Sequence, residues 1–181
     1  MTRLIAYMRA GTRRWCTDES GTMVVDFALM FTLFMTLMLS SIDMGFMTFR
    51  QTMLERGLDL AVRDLRLGFG GTPTHATIKE SICDYAGFLP DCDNSLRLEM
   101  QPMDLRAYST LTNGADCVDK SEEISPVRTF VNGGDNEIMI LRACFVSKPL
   151  FAAFGLGMMV EKDGNGDYHL YSTTAFVNEP S

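Results

Sequence analysis

Residues 22–42, TMVVDFALMFTLFMTLMLSSI, form an almost unbroken apolar run, and that run limits what the chain can fold into more than any other feature. At 1.5 Å per residue, about twenty helical residues span the roughly 30 Å of hydrocarbon in a bilayer. The run therefore predicts one membrane-crossing helix. Asp26 is its only ionisable residue. A carboxylate at the bilayer centre costs on the order of 3 kcal/mol on insertion scales. Two readings place it more comfortably. In the first, Asp26 sits in the first helical turn, near water, where the helix dipole favours an anion. In the second, it has a cationic partner within the membrane. Cleavage after Gly21 would supply one, because Thr22 would then carry an α-ammonium one turn from Asp26, in the same subunit or in a packed neighbour.

Beyond Asp43 the pattern turns amphipathic. Met47, Leu54, Leu58, Ala61 and Leu65 recur at helical intervals, while Arg50, Gln51, Glu55, Arg56, Asp59 and Arg63 take the other faces. The membrane helix is thus expected to continue to residue 67, roughly 70 Å in all, and to stop at Gly68, Gly70 and Gly71. The apolar stripe packs against the chain's own domain in one reading and against neighbouring subunits in the other; both hold if different faces are used.

The flanks set the topology. Arg3, Arg9, Arg13 and Arg14 precede the run, and positive residues beside a membrane helix stay cytoplasmic, so the C-terminal bulk is expected outside. A secretory signal peptide fits poorly, since the run is long and only Ser40-Ser41 resembles a small-residue cleavage site. Cys16 falls on the cytoplasmic side and Cys83, Cys92, Cys117 and Cys144 fall beyond the membrane, an even number where oxidation is possible. Of the three possible pairings, Cys83 with Cys92 and Cys117 with Cys144 are expected, each worth about 2–4 kcal/mol. The rival, a zinc site, lacks any C-x-x-C and has only His75 and His169 to draw on.

A basic segment, a glycine, an acid at the fifth position after it and an apolar helix resemble the class III leader of type IV pilin-like proteins, cut after the glycine by a prepilin peptidase. The longer pattern, G-T-M-V-V-D-F-A-L from Gly21, I-D-M-G-F through Asp43 and Gly45, and L-x-x-A-V-R-D-x-R-x-G ending at Gly68, resembles a TadE-like pseudopilin of the tight-adherence (Flp) pilus system. The closing F-V-N-E-P from Phe176 is also similar to the family's. Where that family usually carries Glu, this chain has Asp26 and Asp43, which shortens the reach to a partner amine. The resemblance implies processing between Gly21 and Thr22, subunit alignment by Asp26, a helix motif at Asp43 and Gly45, and work alongside a related pseudopilin and the pilus assembly platform.

The remaining chain is expected to form a head. Residues 73–88 read as a helix capped by Thr74, with Ile78, Ile82, Tyr85 and Ala86 on one face. Residues 95–103 alternate as a strand, with Leu96, Leu98, Met100 and Pro102 on one side. Residues 113–125 read as a loop whose acids, Asp116, Asp119, Glu122 and Glu123, form a solvated surface. Residues 137–148 are the strongest strand, apolar enough for burial on both faces. Residues 149–159 are apolar and fit a short helix, an exposed loop or a contact surface. The D-G-N-G-D stretch from Asp163 superficially matches a calcium loop but has Tyr168 and Thr174 where glycine and the bidentate acid belong; a tight turn joining strands 158–162 and 168–177 accounts for its residues. The expected fold is α+β and pilin-like: a leader at 1–21, a transmembrane helix at 22–46, its amphipathic extension at 47–68, and a disulfide-braced head with a small antiparallel sheet at 69–181.

A net charge of −7, with no basic patch outside the N-terminus, argues against nucleic acid as a partner. No phosphate-binding glycine loop, nucleophile elbow or H-E-x-x-H occurs, so no catalytic residue, metal or cofactor is expected. The reading is a single-pass inner-membrane pseudopilin, in contact with membrane lipid, that takes part in assembling a Flp-type adhesive pilus. The alternative is an uncleaved, signal-anchored periplasmic binding or adhesion domain, for which Gly21 and Asp26 are incidental.

Overall fold

The computed structural model describes residues 22–67, 74–104, 117–118 and 130–178. In chain order its elements are helix α1 (Thr22–Arg66), helix α2 (His75–Ala86), a single turn α3 (Cys92–Ser95), strand β1 (Leu96–Pro102), strand β2 (Ile138–Ser147), a second single turn α4 (Leu156–Met159) and strand β3 (Tyr168–Val177). The expected leader at 1–21, with Gly21 and Cys16, lies outside the described residues. So do Gly68, Gly70 and Gly71, the acids of the 113–125 loop, and the last two residues of F-V-N-E-P.

α1 is 45 residues long and contains no proline. Arg63 and Arg66 in its last turn complement the negative end of the helix dipole. Its two halves have opposite fates. From Met23 to Phe49 most apolar side chains are exposed, whereas Leu54, Leu58, Ala61 and Val62 are buried in the head. The amphipathic stripe read from the sequence therefore packs against the chain's own domain.

α2 begins at a reciprocal capping box. Thr77 N donates to Thr74 Oγ1 at 3.2 Å and Thr74 N donates to Thr77 Oγ1 at 3.0 Å. It ends where Gly87, at φ +59°, donates its N–H to Cys83 O. Ile78, Ile82 and Ala86 are buried; Tyr85, expected on the same face, is exposed and donates to Asp64 of α1. The two helices approach at Gly57, where an added Cβ would lie 2.7 Å from Ile82 O and 3.1 Å from Ala86 Cβ.

The sheet is antiparallel with β2 in the centre. Leu96 pairs with Phe145 and Ser147 with Tyr168. Every β2 residue after Ile138 is buried, as its apolar run predicts. Met139, Leu141, Ala143 and Phe145 join Leu96, Leu98 and Met100 of β1 in the core against α1 and α2. Pro102, expected on that same face, is exposed at the strand end. The alternate β2 residues carry polar and covalent ties: Arg142 meets Glu99, its cross-strand partner, at 3.5 Å, and Cys144 bonds Cys117. Cys83 bonds Cys92, bracing the α2–α3 turn. Both pairings are those expected, and the fold is α+β with a long N-terminal helix and a small three-stranded sheet.

An expected strand is also absent. Residues 160–162 are not a strand, and β3 pairs with β2 alone among the described residues. Because β2 and β3 end together at Ser147 and Tyr168, the intervening segment is released from the sheet and turns back to α1. The D-G-N-G-D turn is formed nonetheless. Asp163 Oδ1 accepts from Asn165 N at 2.9 Å and Asp167 N at 2.8 Å, Asp163 N donates to Asp167 O, and Gly166 sits at φ +80°. This geometry accounts for Asp163, Asn165 and Gly166. It leaves Asp167 unexplained, buried with neither carboxylate oxygen hydrogen-bonded among the described residues.

Two predictions follow from this packing. Gly57→Ala gains up to about 1 kcal/mol of helix propensity but drives a methyl into the α2 backbone, so it is expected to destabilise the head by about 1–3 kcal/mol. Gly45→Ala, with open space around it, is expected to be neutral or slightly stabilising; denaturant unfolding of the detergent-solubilised chain compares the two. Burial, with Lys79 and Arg97 nearby, holds the His75 imidazole below its ordinary 6.5. The unfolded chain therefore binds the proton first, and stability is expected to fall as pH drops below about 6.5, a slope that His75→Gln removes.

Candidate functional site

The functional surface is the exposed length of α1 and its junction with the head. The helix is long and apolar enough to cross a membrane, and nothing in its most apolar eighteen-residue window is buried. That separates it from the core helix of a water-soluble domain, whose apolar face is covered by its own protein. Four hydroxyl groups of this stretch bond within the helix. Thr32 donates to Ala28 O, Thr36 to Leu33 O, Ser40 to Thr36 O and Ser41 to Leu37 O, all at 2.7–2.9 Å. Side-chain donors satisfied in this way need no water, as a helix in lipid requires.

Asp26 lies on this exposed surface, one turn from the start of α1. Gly21, where cleavage is expected, lies outside the described residues. Gly45 is exposed and opens a gap on the helix flank. The second acid of the helix behaves differently from the first: Asp43 is 1% exposed.

Asp43 is buried because the apolar 149–159 segment wraps the helix at its level. Leu150 N donates to Asp43 Oδ1 at 3.0 Å, and Leu156 N donates to Ser40 Oγ at 3.3 Å. Ser40 and Asp43, three residues apart on one helix face, thus accept two backbone N–H groups of a segment more than a hundred residues away. Two glycines permit the approach. Gly155 has φ +58° and lies directly over Ser40, while a Cβ on Gly157 would stand 2.5 Å from both Asp43 Oδ2 and Phe151 O. Asp43 Oδ2 is buried with no hydrogen-bond partner among the described residues.

Two turns further along α1, Arg50 makes the next tie. Its Nη1 donates to Ser147 Oγ, Lys148 O and Tyr168 OH, each at 2.9 Å. One guanidinium thereby fastens the end of β2 to the start of β3. Gln51 Nε2 donates to Tyr171 O at 2.9 Å, occupying a carbonyl of the edge strand. Asp43, Ser40 and Arg50 therefore form a ladder of hydrogen bonds, to backbone at Leu150, Leu156 and Lys148 and to the hydroxyls of Ser147 and Tyr168, that fixes the head on its helix.

Sequence reasoning singled out Asp43 and Gly45 and left the role of 149–159 open. It named Ser40 only as part of a weak cleavage-like pair, did not single out Gly155 or Gly157, and did not assign Arg50 this role. The available signal was G-L-G inside an apolar segment, since two glycines flanking one leucine mark a close backbone approach.

Residues 21–63 match the sequence model of the family described as TadE-like protein. The matched stretch is the exposed half of α1, its Asp43 junction and the first turns buried in the head. No curated protein and no solved structure matches the chain significantly.

The junction geometry generates a test. Asp43→Asn retains an oxygen acceptor for Leu150 N, whereas Asp43→Ala removes it. Amide exchange at Leu150 is expected to accelerate by about fivefold in Asp43→Ala, corresponding to the ~1 kcal/mol of one hydrogen bond, and to stay near the parent rate in Asp43→Asn. Equal rates in all three proteins would show that the carboxylate does not hold the segment.

Proposed function

We propose that this protein is a pseudopilin-like component of a tight-adherence pilus system, anchored in the bacterial inner membrane by α1 with its head on the periplasmic side. The TadE-like match supports the system. The observation that carries the anchor is that nothing in the most apolar eighteen residues of this helix is buried and that Thr32, Thr36, Ser40 and Ser41 donate to carbonyls of the helix itself. The arginines before the helix support a cytoplasmic N-terminus, and two disulfides in the head suit an oxidising compartment.

In this reading the role is structural rather than catalytic. A prepilin peptidase cuts between Gly21 and Thr22, and the new α-ammonium of Thr22 lies one turn from Asp26. The exposed Asp26 carboxylate pairs with that ammonium, or with the one on an adjacent helix, and aligns subunits in the membrane. A charge pair in hydrocarbon is far cheaper than either charge alone, so alignment and insertion favour the same arrangement. The head, held on the helix by Asp43, Ser40 and Arg50, offers its surface to a related pseudopilin and to the assembly platform.

The testing experiment is N-terminal sequencing of the protein from its native membrane, with and without the prepilin peptidase. A start at Thr22 that needs the peptidase is expected, and Gly21→Ala should abolish it. Asp26→Ala should be inserted and processed but reduce piliation, with the head still folded. An intact leader in both strains would instead favour the uncleaved, signal-anchored periplasmic domain.

A further inference from the structure

The segment between β2 and β3 presents an unusual combination of features. Residues 149–160, PLFAAFGLGMMV, contain no ionisable side chain. Phe154 is 61% exposed, Met158 63% and Met159 80%. Exposed apolar side chains clustered on one loop mark a contact surface. Its hydrogen bonds to Ser40 and Asp43 fix where that surface lies. It stands beside the last turns of the apolar run, level with exposed Leu37, Met38, Ile42 and Met44 of α1, so its apolar surface continues that of the helix.

The backbone of the segment is also prepared for a medium that offers few hydrogen bonds. Phe154 N donates to Phe151 O, Met158 N to Gly155 O and Val160 N to Leu156 O. Leu150 N and Leu156 N are taken by Asp43 and Ser40. Irregular backbone enters apolar surroundings at tolerable cost only when its polar groups are met from within the protein. Asp43 and Ser40 do for this loop what water would do for an ordinary one. Lys148 and Lys162 flank the uncharged stretch, and Lys162 Nζ donates to Ala152 O at 3.3 Å, placing its ammonium at the border of the apolar surface, where such side chains reach lipid headgroups.

We infer that residues 149–160 are a second membrane contact: a collar on α1 whose Phe154, Met158 and Met159 enter the periplasm-facing leaflet to the depth of the headgroup–acyl boundary. The inference rests on α1 being the membrane anchor. The collar gives the head a two-point seat on the bilayer, the helix and the loop, so the head is held against the membrane surface instead of swinging on a single rod. Its binding chemistry is that of interfacial apolar anchors, in which buried apolar area sets the strength.

The test uses the full chain in phosphatidylcholine vesicles with Trp15, its only tryptophan, replaced by Phe. Single tryptophans are introduced as Phe154→Trp, Met158→Trp, Leu37→Trp and Tyr85→Trp. The first two side chains are exposed, so their replacement does not disturb the core. Tyr85 pairs with Asp64, about 30 Å along the helix from Asp43, and reports the aqueous head. Vesicles of lipid brominated near the headgroup end or near mid-chain are compared with unbrominated ones.

Loss of emission at 154 and 158, stronger with shallow than with deep bromine and absent at 85, is the expected result. Quenching at 37 without quenching at 154 and 158 overturns the collar and leaves the anchor standing. Blue-shifted but unquenched emission at 154 and 158 means that protein covers the loop, and also overturns it. No quenching at 37 overturns the anchor reading and the collar with it.

Discussion

Along its most apolar eighteen residues α1 offers apolar side chains to its surroundings, and nothing in that window is buried. The same helix then continues, without proline or break, into a half whose apolar side chains are buried by the head. One rigid element thus meets two surroundings, an uncovered apolar surface along one length and protein along the other. The exposed half carries hydroxyls that bond back to their own helix, and the buried half carries the stripe of Leu54, Leu58 and Ala61 against which α2 and the sheet assemble. The remaining structure is arranged around the point where one environment gives way to the other.

At that point the helix carries polar groups that would be costly in lipid and unnecessary in the core. They are used to bind the head. Ser40 and Asp43 hold the 149–159 segment by its N–H groups, and Arg50 holds the ends of β2 and β3 through a carbonyl and two hydroxyls. Each such bond contributes only about 1 kcal/mol net, but leaving a buried partner unmet costs more than that. The ladder therefore sets the angle and height of the head on its helix more than it sets total stability. Gly155 and Gly157 are part of the same device, because a side chain at either would hold the segment off the acceptors it needs.

Much of the architecture was legible beforehand because it follows from short-range regularities. The apolar run, the change to an amphipathic stripe, the Thr74 cap and the alternation of Leu96, Leu98 and Met100 each announce one element through a period or a capping chemistry. The disulfide pairing was legible for a related reason: Cys83 and Cys92 flank a short turn, and Cys144 sits in the strongest strand with Cys117 in the loop before it. The 158–162 strand was misread because a glycine- and asparagine-rich turn implies a hairpin only if both flanks pair, and pairing is settled by the β2–β3 register, with Ser147 opposite Tyr168.

The two acids of α1 show where sequence stops and structure takes over. By composition alone Asp26 and Asp43 are alike: single carboxylates near the two ends of an apolar run. Length, hydrophobicity and helical period determined that both lie on one long helix, because those properties depend only on neighbours along the chain. That Asp26 stays exposed while Asp43 is buried beneath a loop from more than a hundred residues away was decided only by tertiary structure. Sheet register ends β2 and β3 at the same place, returns the intervening segment to the helix, and lets two glycines bring its backbone within reach of the carboxylate, contacts that no local pattern in the chain encodes.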